Sequence, residues 1–254
     1  MTVRYDSGMA GGFDFPIINP QRQFQIFEDF VGAQNFDTDE TVTVTAATTG
    51  TIAKDITVHG GAVLLDAGAV TESQGVNVQF SDGIELDEAG DLFFECRVRF
   101  ATTAGTSTLT DEMFIGLSES DTAIIASDAM SDTAFIGFST CSEGNPATTD
   151  GYIQLAGNIS TSGGTGSGAG ATHIKIDTAA NSGVGVDDFV RLGFVVRNGE
   201  AQAFVNGEKV GAKISNIPTS TVLLPSLVCQ ADGVRGKYIV DYFLVTSARS
   251  STAL

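Results

Sequence analysis

Tryptophan is absent from this 254-residue sequence, and histidine and cysteine are scarce. The two histidines, His59 and His173, have no neighbouring cysteine or histidine at metal-ligand spacing, so no zinc site is expected. Three cysteines in a long chain predict no disulfide framework. Cys96 alternates with apolar residues on one strand face, which predicts a core position. We expect no cofactor; the acidic loops at 37–40 and 119–121 leave calcium as an alternative.

Basic residues are also few. The chain has 13 lysines and arginines against 31 acidic residues, for a net charge of −18. Such a surface repels phosphate backbones and anionic lipids, so neither nucleic acid nor a membrane is an expected partner. The first residues contain no apolar signal core, and no apolar run approaches membrane-spanning length. The expected place of synthesis is therefore a reducing cytoplasm, without export by a signal peptide.

Catalytic motifs are missing as well. The sequence contains no Gly-x-Ser-x-Gly elbow and no phosphate-binding Gly-x-x-x-x-Gly-Lys. Glycoside hydrolysis needs two carboxylates about 5 to 10 Å apart. The nearest candidate pair is Glu85 and Asp87, but the next position of that spacing pattern is Gly90, and the acidic run indicates a solvated turn. We expect no enzymatic activity; a hydrolase or lyase acting through Glu85 or Asp87 is the remaining enzymatic alternative.

Alternating apolar runs and glycine-rich turns are what the sequence has in place of helical periodicity. Two Asn-Gly dipeptides, at 198–199 and 206–207, predict type I′ hairpin turns, because both residues tolerate the positive φ that this turn requires. The first turn sets a register in which Val196 faces Ala201 and the ion pair Arg197–Glu200 lies beside the turn. The same register places Phe194 opposite Ala203 and Leu192 opposite Val205, and the second turn places Val210 opposite Ala203. This stretch is predicted to form a three-stranded antiparallel meander.

Further strand-like segments recur at short intervals, with at most one helical turn within 119–130 and a flexible Gly/Ser-rich loop at 157–171. Strands are expected at 24–30, 40–46, 52–58, 62–65, 76–80, 92–100, 113–117, 134–138, 152–155, 173–176, 223–229 and 237–245. So many short strands predict an all-β, two-sheet antiparallel jelly-roll sandwich. The expected organisation is an extended N-terminal arm at 1–24, the sandwich at 25–247 and a C-terminal tail at 248–254.

The arm carries large apolar residues between glycines and prolines: Phe13, Phe15, Ile17 and Ile18. A disordered tail rarely contains such residues. They are expected either to cover the domain's own sheet or to dock on a neighbouring subunit. We predict that these four residues form a contact site for a neighbouring subunit.

Five stretches carry a family resemblance: FEDFVG at 27–32, FFECRVRF at 93–100, MFIGLSESD at 113–121, DDFVRLGFVVRNGEAQAFVNGEKVG at 187–211 and LLPSLVCQADGVRGKYIVDYFLV at 223–245. Together they resemble the concanavalin A-like (laminin-G-like) jelly-roll domains found among virion structural proteins of tailed bacteriophages. The resemblance covers about 24–247. The chain departs from catalytic members because it lacks their carboxylate triplet. It departs from many lectin members because it lacks tryptophan.

The resemblance implies a non-enzymatic capsid decoration (cement) protein on the virion exterior, assembled in the host cytoplasm. Its partners would be the major capsid protein and further copies of itself, most simply as a homotrimer. The alternative is a carbohydrate-binding, lectin-like module of a head or tail fibre that attaches to the host. A sugar would then stack on a phenylalanine or on one of the tyrosines Tyr5, Tyr152, Tyr238 and Tyr242.

Overall fold

The computed structural model of the protein describes most of the strands and leaves gaps between them. The described residues are 23–30, 42–47, 50–55, 61–68, 71, 74–86, 91–100, 112–120, 125–126, 129–130, 134–139, 152–158, 174–177, 189–215, 217–219, 221–231 and 236–248. All the regular elements in these ranges are strands. No helix in the described ranges is long and apolar enough to cross a membrane.

The strands in chain order are β1 (Gln23–Glu28), β2 (Val42–Ala47), β3 (Thr51–Lys54), β4 (Val63–Asp66), β5 (Gly75–Phe80), β6 (Ile84–Glu85), β7 (Leu92–Phe100), β8 (Glu112–Ser118), β9 (Ile125–Ala126), β10 (Ala129–Met130), β11 (Phe135–Ser139), β12 (Tyr152–Asn158), β13 (Ile174–Asp177), β14 (Val190–Arg197), β15 (Glu200–Val205), β16 (Glu208–Ile214), β17 (Val222–Gln230) and β18 (Lys237–Ala248).

Sixteen of these strands form two antiparallel sheets of eight strands each, and β9 and β10 pair only with each other. Sheet I has the order β16-β15-β14-β7-β18-β4-β3. Strand β1 is the eighth strand: β4 pairs with the first half of one edge of β18, and β1 pairs with the second half of that edge. Sheet II has the order β13-β12-β11-β8-β17-β5-β2, with β6 also on β17. The first and last strands are thus neighbours in sheet I. This confirms the all-β, two-sheet antiparallel sandwich.

Alternation along the strands builds the core between the sheets. On β7, Leu92, Phe94, Cys96 and Val98 are buried inward, and on β14 the inward residues include Phe194, whose ring stacks on Phe94 at 5.0 Å between centroids. Cys96 is therefore a core residue, as predicted. Burial raises the pKa of its thiol well above the ordinary value.

The meander has the predicted register. Arg197 is opposite Glu200, Val196 opposite Ala201, Phe194 opposite Ala203 and Leu192 opposite Val205; Val210 is opposite Ala203. All four turn residues have positive φ: 52° at Asn198, 72° at Gly199, 51° at Asn206 and 86° at Gly207. These values are those of type I′ turns.

The predicted Arg197–Glu200 ion pair is wrong, although the backbone register is right. Arg197 makes a two-nitrogen contact with Asp91, at 3.1 Å from Nε and 2.9 Å from Nη2 to Oδ2. Glu200 pairs with Lys213 at 2.7 Å. The carboxylate of Asp91 satisfies the fork geometry of the guanidinium, and this outcompetes the partner across the turn.

At most one helical turn was expected within 119–130, and part of that stretch lies outside the described residues. The described part of that stretch contains a two-strand ladder between β9 and β10, with Ala129 opposite Ala126.

Pro225 lies in the middle of sheet II, at a gap in the pairing along one edge of β17. It falls between Leu223, the last residue of β17 that pairs with β6, and Ser226, the first that pairs with β5.

Candidate functional site

A β-bulge at Asp241 sets which residues of β18 point outward. Val240 pairs with Val98, and Tyr242, two residues later, pairs with Arg97, the next residue of β7. Before the bulge, Tyr238 and Val240 point to the core; after it, Phe243 and Val245 do. A bulge re-aims side chains because it inserts one residue into a period of two. Tyr242 therefore lies on the outer face of sheet I.

Beside Tyr242 lies the most exposed large apolar side chain among the described residues, Phe27 of β1, with 54% of its surface exposed. The two ring centroids are 6.1 Å apart and the ring planes are tilted by 44°. Phe27 faces outward because Ile26, its neighbour in the strand, packs against the core. We call Phe27 and Tyr242 the aromatic shelf.

Charged groups border the shelf. Tyr242 donates a 2.7 Å hydrogen bond to Oε1 of Glu95, and Glu95 is buried despite its outward position. Arg97 pairs with the bulge residue Asp241, and its side chain keeps 40% of its surface exposed. Arg191 is directly opposite Arg97 in the ladder. We call Glu95, Arg97, Arg191 and Asp241 the charged border.

The charged border continues toward Phe189. The guanidinium carbon of Arg97 lies 4.3 Å from the centroid of the Phe189 ring, and that of Arg99 lies 5.0 Å away. Such contacts hold arginines flat against an aromatic face. Arg99 also pairs with Asp55 at 3.6 Å. The arginines are thus held in place by carboxylates and by one ring.

The environment of Tyr242 favours its neutral form. Partial burial raises the pKa of the phenol well above its ordinary value, and the hydrogen bond to the Glu95 carboxylate raises it further. The positive charge of Arg191 acts in the opposite direction. Tyr242 is therefore a hydrogen-bond donor near neutral pH, and its role is to orient Glu95 and to present a ring face.

The site offers hydrogen-bond donors, acceptors and an aromatic face, which are binding functions. Within the described ranges, no group of three or more His, Cys, Asp or Glu side chains is placed to hold a metal ion. Of the acidic loops named as calcium candidates, 37–40 and Asp121 lie outside the described residues. Glu85 is exposed on β6, and Asp87 also lies outside the described residues.

A second polar cluster lies on the outer face of sheet II. Gln79 Nε2 donates to the hydroxyls of Ser118 and Ser226, both at 3.1 Å, and the two hydroxyls are 2.8 Å apart. All three residues are buried. Their hydrogen bonds run to one another and to backbone carbonyls across three strands, so the cluster ties β5, β17 and β8 together.

The predicted contact residues of the arm, Phe13, Phe15, Ile17 and Ile18, all lie outside the described residues, as does Tyr5. Tyr238 cannot stack on a sugar, because it is buried in the core and donates a 2.8 Å hydrogen bond to the carbonyl of Val228. Tyr242 was named as one of several possible stacking residues. The residues that surround Tyr242 were not predicted from the sequence. The only sequence signal for the bulge that turns Tyr242 outward is the change in apolar alternation around Asp241 in KYIVDYFLV.

Comparison with solved structures shows the fold. Lectin I from Ulex europaeus, solved in complex with the methyl glycoside of α-L-fucose, has a TM-score of 0.58 at 9% identity over 89% of this chain and 98% of its own. An endo-1,3-β-glucanase from Streptomyces sioyaensis has a TM-score of 0.57 at 12% identity, over 92% and 99%. The exoplasmic/lumenal domain of VIP36, in a Ca²⁺/Man-bound form, has a TM-score of 0.57 at 9% identity, over 87% and 88%.

This chain therefore has the concanavalin A-like lectin/glucanase jelly-roll fold. No family model matches it, and no curated protein matches it. None of the three similar structures is a virion protein by its description, so the predicted bacteriophage origin stays a prediction. At these identities the likeness concerns the fold alone.

Proposed function

We propose that this protein is a non-enzymatic carbohydrate-binding module of the lectin type, and that a saccharide lies on the aromatic shelf. The observation that carries the proposal is the exposed ring of Phe27 beside Tyr242. A large apolar ring on a solvent-facing strand keeps apolar surface in contact with water, and a stacked pyranose would cover that surface, which is favourable. The fold supports this reading, because similar structures include sugar-bound lectins.

The charged border supplies the polar half of such a site. Arg97 presents a partly exposed guanidinium, and Asp241 holds it in place. Sugar hydroxyls both donate and accept hydrogen bonds, so a neighbouring donor and acceptor pair fits them. The surface is a sheet face with no enclosing walls among the described residues, so we expect weak affinity for a single sugar. Several linked copies would then be needed for tight attachment.

The absence of catalysis is part of the proposal. Similar structures include glucanases as well as lectins, so the fold does not decide the question. The carboxylates of the site are engaged in orienting other groups: Glu95 accepts from Tyr242, and Asp241 pairs with Arg97. A glycosidase needs one carboxyl group able to give a proton to the leaving oxygen, and a carboxylate paired with arginine is poorly suited to that.

The test is a glycan array followed by calorimetry on the best ligand, with the variants Phe27→Ala and Val222→Ala. Val222 is a matched control because 53% of its surface is exposed, close to the value for Phe27, and it lies on β17 of the other sheet. We expect Phe27→Ala to weaken binding about tenfold or more, by the loss of roughly 1.4 kcal/mol of stacking. Val222→Ala should bind as the unmodified protein does.

An array without any bound glycan would rule out the proposal, and equal affinities for the two variants would move the site elsewhere. Breakdown of the bound polysaccharide by pure protein, measured as released reducing ends, would overturn the non-enzymatic part. Both substitutions are at exposed positions, so circular dichroism is expected to show unchanged folds.

A second candidate is the capsid decoration role, with the major capsid protein and further copies of the chain as partners and the virion exterior as location. The specific observation in its favour is the anchoring of β1: Gln23 is opposite Ala248 and Glu28 opposite Phe243. The arm residues thus begin at a fixed point on sheet I. Removing residues 1–22 keeps β1 and should abolish co-sedimentation with particles; retained co-sedimentation would exclude an arm-mediated clamp.

A further inference from the structure

A buried apolar cluster lies on the outer face of sheet I, where solvent would be expected. Phe93, Val195 and Phe204 are 6%, 4% and 6% exposed, and the half-buried Leu244 packs against them. They come from four adjacent strands, and their strand neighbours Phe94, Val196 and Val205 point to the core. We call these four residues the outer-face cluster.

Two buried oxygens flank the outer-face cluster. Among the described residues, Thr246 Oγ1 and Gln202 Oε1 are buried and accept no hydrogen bond. They lie in one row of the ladder: Thr246 is opposite Phe93, Phe93 opposite Val195, and Val195 opposite Gln202. Buried acceptors need donors. An extended chain that crosses the strands above this row offers backbone N–H groups at both ends.

Few segments of this sequence can reach the row. The cluster lies near the end of sheet I where β1 and β7 begin and where β14 and β18 end. The segments outside the described residues that adjoin this end are 1–22, 87–90 and 249–254. Residues 87–90 are DEAG and residues 249–254 are RSSTAL, so both are short and mostly polar. Only the arm contains aromatic residues.

The arm is also long enough. Gln25 of β1 is opposite Thr246 and so starts the same row. With strands about 4.8 Å apart, Phe93 lies about 10 Å and Gln202 about 19 Å from β1. Residues 13–18 precede Gln23 by five to ten positions, about 16 to 33 Å of extended chain. A tethered segment at this reach has an effective concentration in the millimolar range.

We propose that Phe13, Phe15 and Ile17 dock on the outer-face cluster of their own sandwich. This inference does not rest on the proposed carbohydrate binding. The composition of the arm allowed two roles, covering the domain's own sheet or docking on a neighbouring subunit, and the proposal is the first of these. It also means that a capsid-bound arm would first have to leave this face.

The test uses the full chain with the photo-crosslinking residue p-benzoylphenylalanine in place of Phe15. The matched control carries it in place of Asp14, which points to the opposite side of an extended segment. Each protein is irradiated as an equal mixture of ¹⁴N and ¹⁵N chains, and cross-linked peptides are identified by mass spectrometry. We expect links to β7, β14 or β15 within single chains, at least tenfold more abundant from position 15 than from position 14.

Links that join ¹⁴N to ¹⁵N peptides in the statistical proportion of a mixed dimer would overturn the proposal and make a second copy the occupant. Links to other parts of the chain, or equal yields from the two positions, would overturn docking on the outer-face cluster altogether.

Discussion

The substitution Gly116→Ala should destabilise the protein strongly, because sheet II brings two glycines face to face. Gly116 is opposite Gly137 in the β8–β11 ladder. A Cβ atom on Gly116 would lie 2.4 Å from Cα of Gly137 and 2.4 Å from the carbonyl oxygen of Ile136. Both obstacles are backbone atoms of a neighbouring central strand, so no side-chain rotation relieves the contact. The strands themselves would have to separate.

The expected cost follows from three comparisons. Overpacking a core usually costs about 1 to 3 kcal/mol, and a backbone obstacle places Gly116→Ala at the upper end. The smaller unfolded-state entropy of alanine offsets about 0.4 to 1 kcal/mol, which leaves a net loss of about 2 to 3 kcal/mol. For Gly137→Ala the nearest atom is at 2.7 Å and one neighbour is the Phe114 side chain, so a smaller loss is expected. Gly199→Ala meets nothing within 4 Å but keeps φ at +72°, which costs about 1 kcal/mol.

The assay is urea unfolding followed by far-ultraviolet circular dichroism, since the chain has no tryptophan. Equal slopes with denaturant are required for the midpoints to be compared. A free energy of unfolding for Gly116→Ala within about 0.5 kcal/mol of that of the unmodified protein, as is typical of a surface substitution, would contradict the predicted backbone clash. A greater loss of stability in Gly199→Ala than in Gly116→Ala would contradict it equally.

Three further outcomes are expected. Burial raises the pKa of Cys96, Tyr238 and Tyr242 above their ordinary values, so each group loses its proton more readily in the unfolded chain. Stability should therefore begin to fall above about pH 8.5, where the unfolded thiol ionises, and fall more steeply above about pH 10, by up to about 1.4 kcal/mol per unit for each group; the fall above pH 10 should be smaller in Tyr238→Phe, as urea midpoints at pH 8 to 11 will show. Deleting Asp241 should leave the faces of β18 unchanged, because Val240 already pairs with Val98 and Tyr242 with the next residue, Arg97; the cost should be about 1 kcal/mol, from loss of the Arg97–Asp241 pair, measured by thermal unfolding. Glu200→Ala should cost under about 1 kcal/mol in urea, because the pair with Lys213 is exposed.

The parts of the fold predicted from sequence are those fixed by local chemistry. The register of the meander follows from Asn198 and Gly199, since a two-residue loop of this type leaves no freedom in the pairing. Long alternating runs such as β7 were found with their observed bounds. The two-residue strands β6, β9 and β10 were not predicted, because two residues carry no alternation.

The candidate site could not be predicted because its residues meet through pairings distant in sequence. Glu95 and Tyr242 are 147 positions apart and are joined only by the β7–β18 ladder. The bulge at Asp241 then decides that Tyr242 points outward, and the apolar run around it is compatible with either face. The same limit explains why the ion-pair partner of Arg197 was predicted incorrectly: its observed partner, Asp91, is 106 positions away in the sequence.

The outer face of sheet I is divided, and the division keeps the two proposals separable. The row through Phe93 and Val195 is buried, whereas the row through Arg97 and Arg191 is charged. Phe27 stands at the edge between them, opposite the half-buried Leu244. If the arm covers the row through Phe93 and Val195, it forms a wall beside the aromatic shelf and leaves Phe27 open. Loss of arm docking should then change how tightly a saccharide is held, whereas loss of Phe27 should leave docking unchanged.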